Sequence, residues 1–260
     1  MIKKIAITLT LLSQLSFAAT PEQVEQYLTV SNAEEELLAI ESQFSSMQNS
    51  FAKDDNISED KTYDMQMLSI RFKDYIQKHL SEDEMTEVLE NYKNVVLLQF
   101  VSAASESQED DNNKTQNYVN ILKANPEAGT RIDLIEKISK ELYSKEAMVV
   151  MFDELMKPLM ENGIGGQKME GDMLKGMREN YLKMMIETSK NDTLYTAKDF
   201  TMEELEELLK IAQTPAIDHE TKVVFGAMAY SLKEFFMSIT SRYDVSKHQP
   251  PSSENSKHKK

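Results

Sequence analysis

One short pattern occurs twice in this chain, and it constrains the fold more than any other feature. The first copy begins at Tyr75 and the second at Tyr195, an offset of 120 (195 minus 75). At this one offset the matching residues are Tyr75, Lys78, Leu80, Ser81, Glu84, Met85, Glu87, Val88 and Leu89, and Tyr195, Lys198, Phe200, Thr201, Glu204, Leu205, Glu207, Leu208 and Leu209. A single spacing kept along the whole pattern predicts an internal duplication.

Both copies carry the signature of a helix start. Ser81 with Glu84, and Thr201 with Glu204, have the spacing of a capping box. In this motif the hydroxyl accepts from a first-turn amide and the carboxylate reaches back to the cap amide. We therefore predict that these four residues are structural caps.

Composition indicates helices throughout. The chain has only 7 Gly, 6 Pro and no Trp, and it is rich in Glu, Lys, Leu and Met, which lose little side-chain freedom in a helix. Strand-like alternation is scarce. We predict an all-α fold in which two related antiparallel helical repeats pack as a bundle-like array.

A second, weaker match lies upstream of the first. At an offset of 111 (148 minus 37), the matching residues are Leu37, Ile40 and Phe44, and Met148, Met151 and Leu155. The smaller offset requires a longer connection in the second copy, which the glycine-rich stretch 162–166 provides. The predicted organisation is a signal peptide at 1–18, repeat one at 19–106, a polar, acidic linker at 107–126, repeat two at 127–243 and a disordered tail at 244–260.

The N-terminus predicts export. Lys3 and Lys4 precede an apolar stretch, and Ser16 and Ala18 form a small-x-small cleavage site, so the mature protein is expected to begin at Ala19. The apolar stretch is shorter than the roughly 18 to 20 residues of a bilayer span, so no stable membrane insertion is expected. The predicted location is the periplasm, or the exterior after secretion.

Charge and cysteine content restrict the partners. Without Lys3 and Lys4, 27 of the 29 basic residues remain against 44 acidic residues, a formal charge of −17. This charge repels phosphate backbones, and we expect no nucleic-acid partner. The chain has no Cys, so the fold depends on buried side chains and not on disulfides.

The second copy also resembles a known family. The residues concerned are Tyr195, Phe200, Thr201, Glu204, Leu205, Leu208 and Leu209, followed by Thr214-Pro215 and Lys222. With this spacing the chain is similar to the bacterial exported family called domain of unknown function 2059, here in two diverged copies. The family pattern has Gly after Thr-Pro, where this chain has Ala216. The resemblance implies a small helical envelope protein and no particular activity.

Catalytic and metal motifs are weak. Asp54 to Asp60 alternates oxygen ligands as a calcium loop does, but Glu59 replaces the turn glycine and Met65 the bidentate glutamate, so a solvated loop is the better interpretation. His79 and His219 lie in different halves, and His219 fits a helix start. Sequence motifs of serine hydrolases and zinc hydrolases do not occur. We predict no enzyme activity and no cofactor.

Methionine is the one unusual enrichment. Nine of the 17 methionines fall between positions 148 and 185, and Met169, Met173 and Met177 follow at four-residue spacing, with Met184 and Met185 beyond. Such residues serve as ordinary core packing, as an adaptable surface for a partner, or as soft ligands for Cu(I). The four-residue spacing places Met169, Met173 and Met177 on one helical face. Ordinary core packing is the first interpretation, and if these five residues are exposed we predict that they form a partner-binding face.

The resulting functional hypothesis is a non-enzymatic periplasmic helical protein. It is expected to act as a protein-binding or structural module of the bacterial envelope, and its partner is an unidentified envelope protein or a second copy of the chain. The alternative is Cu(I) binding through the Met-rich helix.

Overall fold

The computed structural model describes residues 17–49, 58–108, 112–162 and 168–242, which form an all-α fold without a strand among them. This confirms the predicted fold class. Most of the predicted signal peptide, the start of the calcium-like loop, the glycine-rich stretch 163–166 and the tail 244–260 lie outside the described residues.

The described residues of the first half form five helices. They are α1 (Pro21–Ser31), α2 (Ala33–Asn49), α3 (Ser58–His79), α4 (Glu82–Asn91) and α5 (Val95–Gln108). Thr20 starts α1 with a capping box to Gln23, and Pro21 supplies a backbone already set for the first turn. Asn32 ends α1 in the left-handed region at φ 57, a conformation that Asn adopts more readily than most residues.

The described residues of the second half form more elements, several of them short, together with the two longest helices. They are α6 (Asn112–Ala124), a 3-10 turn (Pro126–Ala128), α7 (Gly129–Leu142), α8 (Lys145–Met151), a π-helical turn (Phe152–Met156), α9 (Lys157–Glu161), α10 (Asp172–Thr196), α11 (Met202–Ala212) and α12 (Pro215–Arg242). The π-helical turn lies just before Pro158, whose ring would clash with the carbonyl of Glu154 in a regular α-helix.

The segment 107–126 is not the linker that its polar composition predicts. Residues 112–124 form α6, in which Val119 is fully buried and Tyr118 and Leu122 pack against a hydrophobic core. A surface helix needs only a narrow apolar stripe, so a mostly polar segment can still be helical.

Both predicted capping boxes are present. The Ser81 hydroxyl accepts from the Glu84 amide at 3.2 Å, and the Ser81 amide donates to the Glu84 carboxylate at 2.8 Å. The Thr201 hydroxyl accepts from the Glu204 amide at 3.2 Å, and the Thr201 amide donates to the Glu204 carboxylate at 2.7 Å. The boxes start α4 and α11, the two helices that the sequence pattern aligns at the offset of 120.

Ser81→Ala and Thr201→Ala are each expected to reduce the free energy of unfolding by roughly 0.5 to 2 kcal/mol, because each leaves a first-turn amide without its acceptor. The sites lie on different helices, so the two losses should add to within about 0.5 kcal/mol. Urea unfolding of both single variants and the double variant measures this. Exposed Ser102→Ala, inside α5, is the control. An unchanged midpoint in either cap variant would contradict the cap assignment.

Two hydrophobic cores hold the helices together, and each contains residues of both halves. The first combines α1, α3 and α4 with α8, α9 and α12, and the second combines α5 with α6, α7, α10 and α11. Thus α12 packs against α3 and α4, while α5 packs against α10 and α11. Each half gives its last helix to the core of the other, which places α5 and α12 where the halves meet.

The crossing of α3 and α12 is close at Gly226. A Cβ added there would lie 2.8 Å from the Tyr75 hydroxyl and 3.2 Å from its ring. The Tyr75 ring is stacked on His79 with 3.8 Å between centroids, which limits its retreat.

Gly226→Ala is therefore expected to lower the free energy of unfolding by about 1 to 3 kcal/mol through overpacking. The higher helix propensity of alanine offsets up to ~1 kcal/mol of this loss. Gly176→Ala in α10 is the matched control, because nothing lies within 4 Å of its added Cβ. We expect the free energy of unfolding of the control variant to rise by up to about 1 kcal/mol, because alanine favours a helix more than glycine does. Equal shifts for both variants would show that α3 and α12 do not approach each other this closely.

Candidate functional site

A cavity of about 110 Å³ lies where the two halves meet. The last helix of each half contributes one side. The α5 side consists of Leu97, Phe100, Val101, Ala104 and Ser105, and the α12 side of Ile217, Glu220, Thr221, Val224 and Phe225. Every one of these α5 residues has its α12 counterpart 120 positions later (217 minus 97). The offset of the repeated pattern is thus also the offset between the two walls of the cavity.

Part of the remaining wall follows the weaker offset. Ser31 and Asn32 line the cavity at the end of α1, and Leu142 and Tyr143 line it at the end of α7. These pairs are 111 positions apart (142 minus 31), the spacing of the upstream sequence match. The cavity therefore lies between elements that the two sequence offsets pair with each other.

At one pair of aligned positions, the α5 wall has an aromatic residue and the α12 wall has an acidic residue. Phe100 of α5 has Glu220 as its counterpart on α12. Glu220 is buried, and its Oε1 accepts a hydrogen bond from the Tyr27 hydroxyl at 2.7 Å and another from the Tyr92 hydroxyl at 2.7 Å. The hydrogen bonds connect α12 to α1 and to the end of α4. Tyr92 packs against both hydrophobic cores, so this triad lies at the centre of the molecule.

A second carboxyl, that of Glu36 on α2, lines the same cavity. Glu36 is half-buried, and the surrounding protein removes much of the water from its carboxyl. No side chain among the described residues forms a hydrogen bond or an ion pair with it. Burial raises the pKa of the Glu36 carboxyl from 4.5 to about 7.

Burial also raises the pKa of Glu220 to about 7, and the nearby Glu36 adds to the effect, while the two tyrosine hydrogen bonds oppose it. Desolvation likewise holds the pKa values of Tyr27, Tyr92 and Tyr143 above the ordinary value of 10.0, so the phenols stay protonated and act as donors. Among the described residues that line the cavity, none is Lys, Arg or His. The site is acidic without an internal counter-ion.

The rim of the cavity is fixed by a backbone conformation. Asn32 is the one non-glycine residue with positive φ in the described ranges, and its side-chain amide donates to the Ser105 hydroxyl at 2.7 Å. This hydrogen bond joins the turn between α1 and α2 to α5. It holds the first turn of α2, and with it Glu36, against the opposite wall.

The predicted Met face is only partly formed. Met173 and Met184 are 55% and 58% exposed, and Met177 and Met185 are half-buried. Met169 precedes α10, which starts at Asp172, and its amide donates to the Met160 carbonyl at 3.1 Å. The prediction that Met169 shares a helical face with Met173 and Met177 is therefore wrong. Gly171, at φ 61, turns the chain between Met169 and the helix.

The two described histidines have structural contacts. His79 is stacked on Tyr75, and the His219 Nδ1 lies 3.0 Å from the Glu84 Oε1. Hydrogen bonds from Ser81 and, to a smaller extent, His219 lower the pKa of Glu84. His219 thus connects α12 to the cap of α4. In the parts of the chain that the structure describes, no three His, Cys, Asp or Glu side chains are placed to bind a metal.

Sequence reasoning missed Glu36, Glu220, Tyr27 and Tyr92. Of these residues, only Glu220 could have been found from the sequence. It is an acidic residue on the apolar face of α12, and the offset of 120 aligns it with the apolar Phe100.

Comparisons of the chain with known protein families, curated proteins and solved structures find no match. The resemblance to domain of unknown function 2059 stays a prediction from the residues around Thr201. Across the four described ranges, none of the helices has both the length and the apolar character of a membrane span.

Proposed function

We propose that this chain is a non-enzymatic binding protein of the bacterial envelope, exported to the periplasm, whose ligand site is the cavity between its two halves. The observation that carries the proposal is a built cavity with two carboxyls and no basic residue in its described lining. The compartment rests on the order of Lys3, Lys4, apolar stretch, Ser16 and Ala18.

The paired walls support a duplication in which two related helices enclose one site. The exchange of Phe for Glu between the equivalent positions 100 and 220 then accounts for the acidic character of one side. The groups that face the cavity are carboxyls, phenols, hydroxyls and apolar side chains. These groups bind and orient a ligand, and the Ser and Thr hydroxyls among them have no neighbouring His to activate them.

Amide NMR spectra of the protein test the proposal. Propanol, propionate and propylammonium are added separately, and at least one is expected to shift amides of α5 and α12 near the cavity. Ala104→Leu places a larger side chain into the cavity and should abolish the shifts. Ser102→Leu, on the exposed side of the same helix, is the matched control and should retain them. Shifts that persist in Ala104→Leu, or their absence with all three compounds, would overturn the proposal.

A second candidate function is protein binding through α10. The exposure of Met173, Met184 and Ile186, the last at 44%, favours it, since thioethers adapt to varied apolar partners. Its partner is a second copy or another envelope protein.

Met173→Gln with Met184→Gln should abolish self-association in sedimentation experiments, or crosslinking to an envelope protein, and leave the cavity spectra unchanged. A sedimentation and crosslinking pattern equal to that of the native chain would refute this second role. Cu(I) titration separates it from the soft-metal alternative, which needs converging thioethers.

A further inference from the structure

We infer that the cavity binds a small organic ammonium ion, with Glu36 as its counter-ion and the tyrosine rings around its charged group. This inference rests on the proposed function and names the class of ligand.

The distribution of partners among the polar groups gives the first argument. Glu220 already accepts from Tyr27 and Tyr92, whereas Glu36 has no partner among the described side chains. A buried carboxylate is stable only when it is paired or hydrogen-bonded. Without a partner Glu36 keeps its proton, and because the described lining contains no cation, a counter-ion for its ionised form would come from a ligand. An anion would meet two carboxyls and no donor of positive charge.

The aromatic lining gives the second argument. Tyr27 and Tyr92 lie edge to face, with 5.8 Å between ring centroids and 80° between planes, and Tyr143 and Phe100 line the same space. Aromatic faces attract cations, and ammonium groups are commonly recognised in this way. The opposite α5 wall is apolar at Leu97, Val101 and Ala104, which suits an alkyl chain.

The geometry does not fit a bare metal ion. Calcium takes six to eight oxygen ligands and magnesium demands a full octahedron. No group of three metal-binding side chains occurs in the described residues, and one of the two carboxyls here already holds two phenols. An organic cation needs one counter-ion and a fitted surface, which the cavity has.

The volume limits the ligand to a few atoms. A dry cavity of about 150 Å³ holds benzene, so a cavity of 110 Å³ holds roughly four or five non-hydrogen atoms. A ligand of that size binds no more tightly than about 3 to 40 micromolar. Propylammonium, with propanol and propionate as matched neutral and anionic compounds, is therefore a suitable probe, and NMR titration covers the expected range.

The dissociation constant of propylammonium is expected to be at least about 10-fold lower than that of propanol in the native protein. Glu36→Gln keeps the shape of the side chain and should remove this difference. Glu35→Gln, on the exposed side of the same helix turn, is the control and should preserve it. Propionate should bind most weakly of the three.

Affinity for propylammonium should also rise about 10-fold from about pH 5.5 to pH 8, because Glu36 must lose its proton to pair with the cation. The titratable groups that face it are Tyr27, Tyr92, Tyr143 and Glu220, with Asp192 of α10 beside Tyr143. The tyrosines stay neutral in this range, so the pH dependence reports the carboxyls of Glu36, Glu220 and Asp192, and Glu36→Gln identifies the part that comes from Glu36.

The outcomes separate the two proposals. If propanol binds as well as propylammonium, or if Glu36→Gln keeps the preference, the cation inference is overturned and the binding function stands. If none of the three compounds shifts the cavity amides, both are overturned. Should Glu36→Gln not fold, the pH dependence of the native protein decides, because a constant affinity from about pH 5.5 to pH 8 contradicts the inference.

Discussion

Replacing Glu220 with alanine is expected to lower the free energy of unfolding by about 2 to 5 kcal/mol at about pH 5.5, because the hydroxyls of Tyr27 and Tyr92 lose their shared acceptor. Glu220→Gln should remain near the native value, since the amide oxygen can accept both hydrogen bonds. At this pH the folded protein holds Glu220 largely protonated, so the comparison is free of the cost of a buried charge.

Urea unfolding of the two variants measures this difference. Tyr27→Phe and Tyr92→Phe should each cost less than Glu220→Ala, because each removes only one of the two hydrogen bonds. A Glu220→Ala variant that unfolds within about 0.5 kcal/mol of the native chain would show that the triad does not hold the two halves together.

Stability is expected to fall as the pH rises from about 4.5 to about 7, in contrast to most acidic proteins. The pKa values of Glu36 and Glu220 are raised from 4.5 to about 7 by burial, so the folded state retains protons that the unfolded state has lost. The stabilisation is complete below the unfolded pKa and is lost as the pH rises through the folded one. One pKa unit equals about 1.4 kcal/mol, which gives a loss on the order of 3 kcal/mol for one carboxyl.

Denaturant midpoints across this pH range measure the effect. Glu36→Gln and Glu220→Gln should each flatten the profile, and the double variant most of all. The half-exposed pair of Glu84 and His219 has an opposite but small effect, because the pKa of Glu84 is lowered. A native midpoint that stays constant or rises over this range would contradict the assignment of the buried carboxyls.

Local signals in the sequence predicted the local structure. Ser81 and Thr201 start helices because a cap needs only a hydroxyl and a glutamate three residues later. The linker prediction was wrong because composition does not reveal that Val119 and its neighbours have a core to pack against. Met169 was misplaced because a regular spacing does not show where the helix begins, and here Gly171 sets that point.

The cavity could not be predicted because it depends on packing between distant helices. Glu36 stands in the run Glu34-Glu35-Glu36, which is typical of an exposed acidic helix start. Packing of α2 against α12 brings Glu36 to the cavity that Glu220 also lines. One part of the site could have been inferred from the offset of 120, because this offset pairs Glu220 with Phe100, and both residues line the cavity.

Carbon NMR titration of the glutamate carboxyls, with and without propylammonium, tests the central claim most directly. We expect the pair of Glu36 and Glu220 to titrate near pH 7 in the free protein, with one of these transitions missing in each Gln variant. Propylammonium should shift the Glu36 transition to lower pH, because the cation stabilises the carboxylate. If every glutamate titrates below about pH 5 and propylammonium moves none of them, the cavity is not an acidic site for cations.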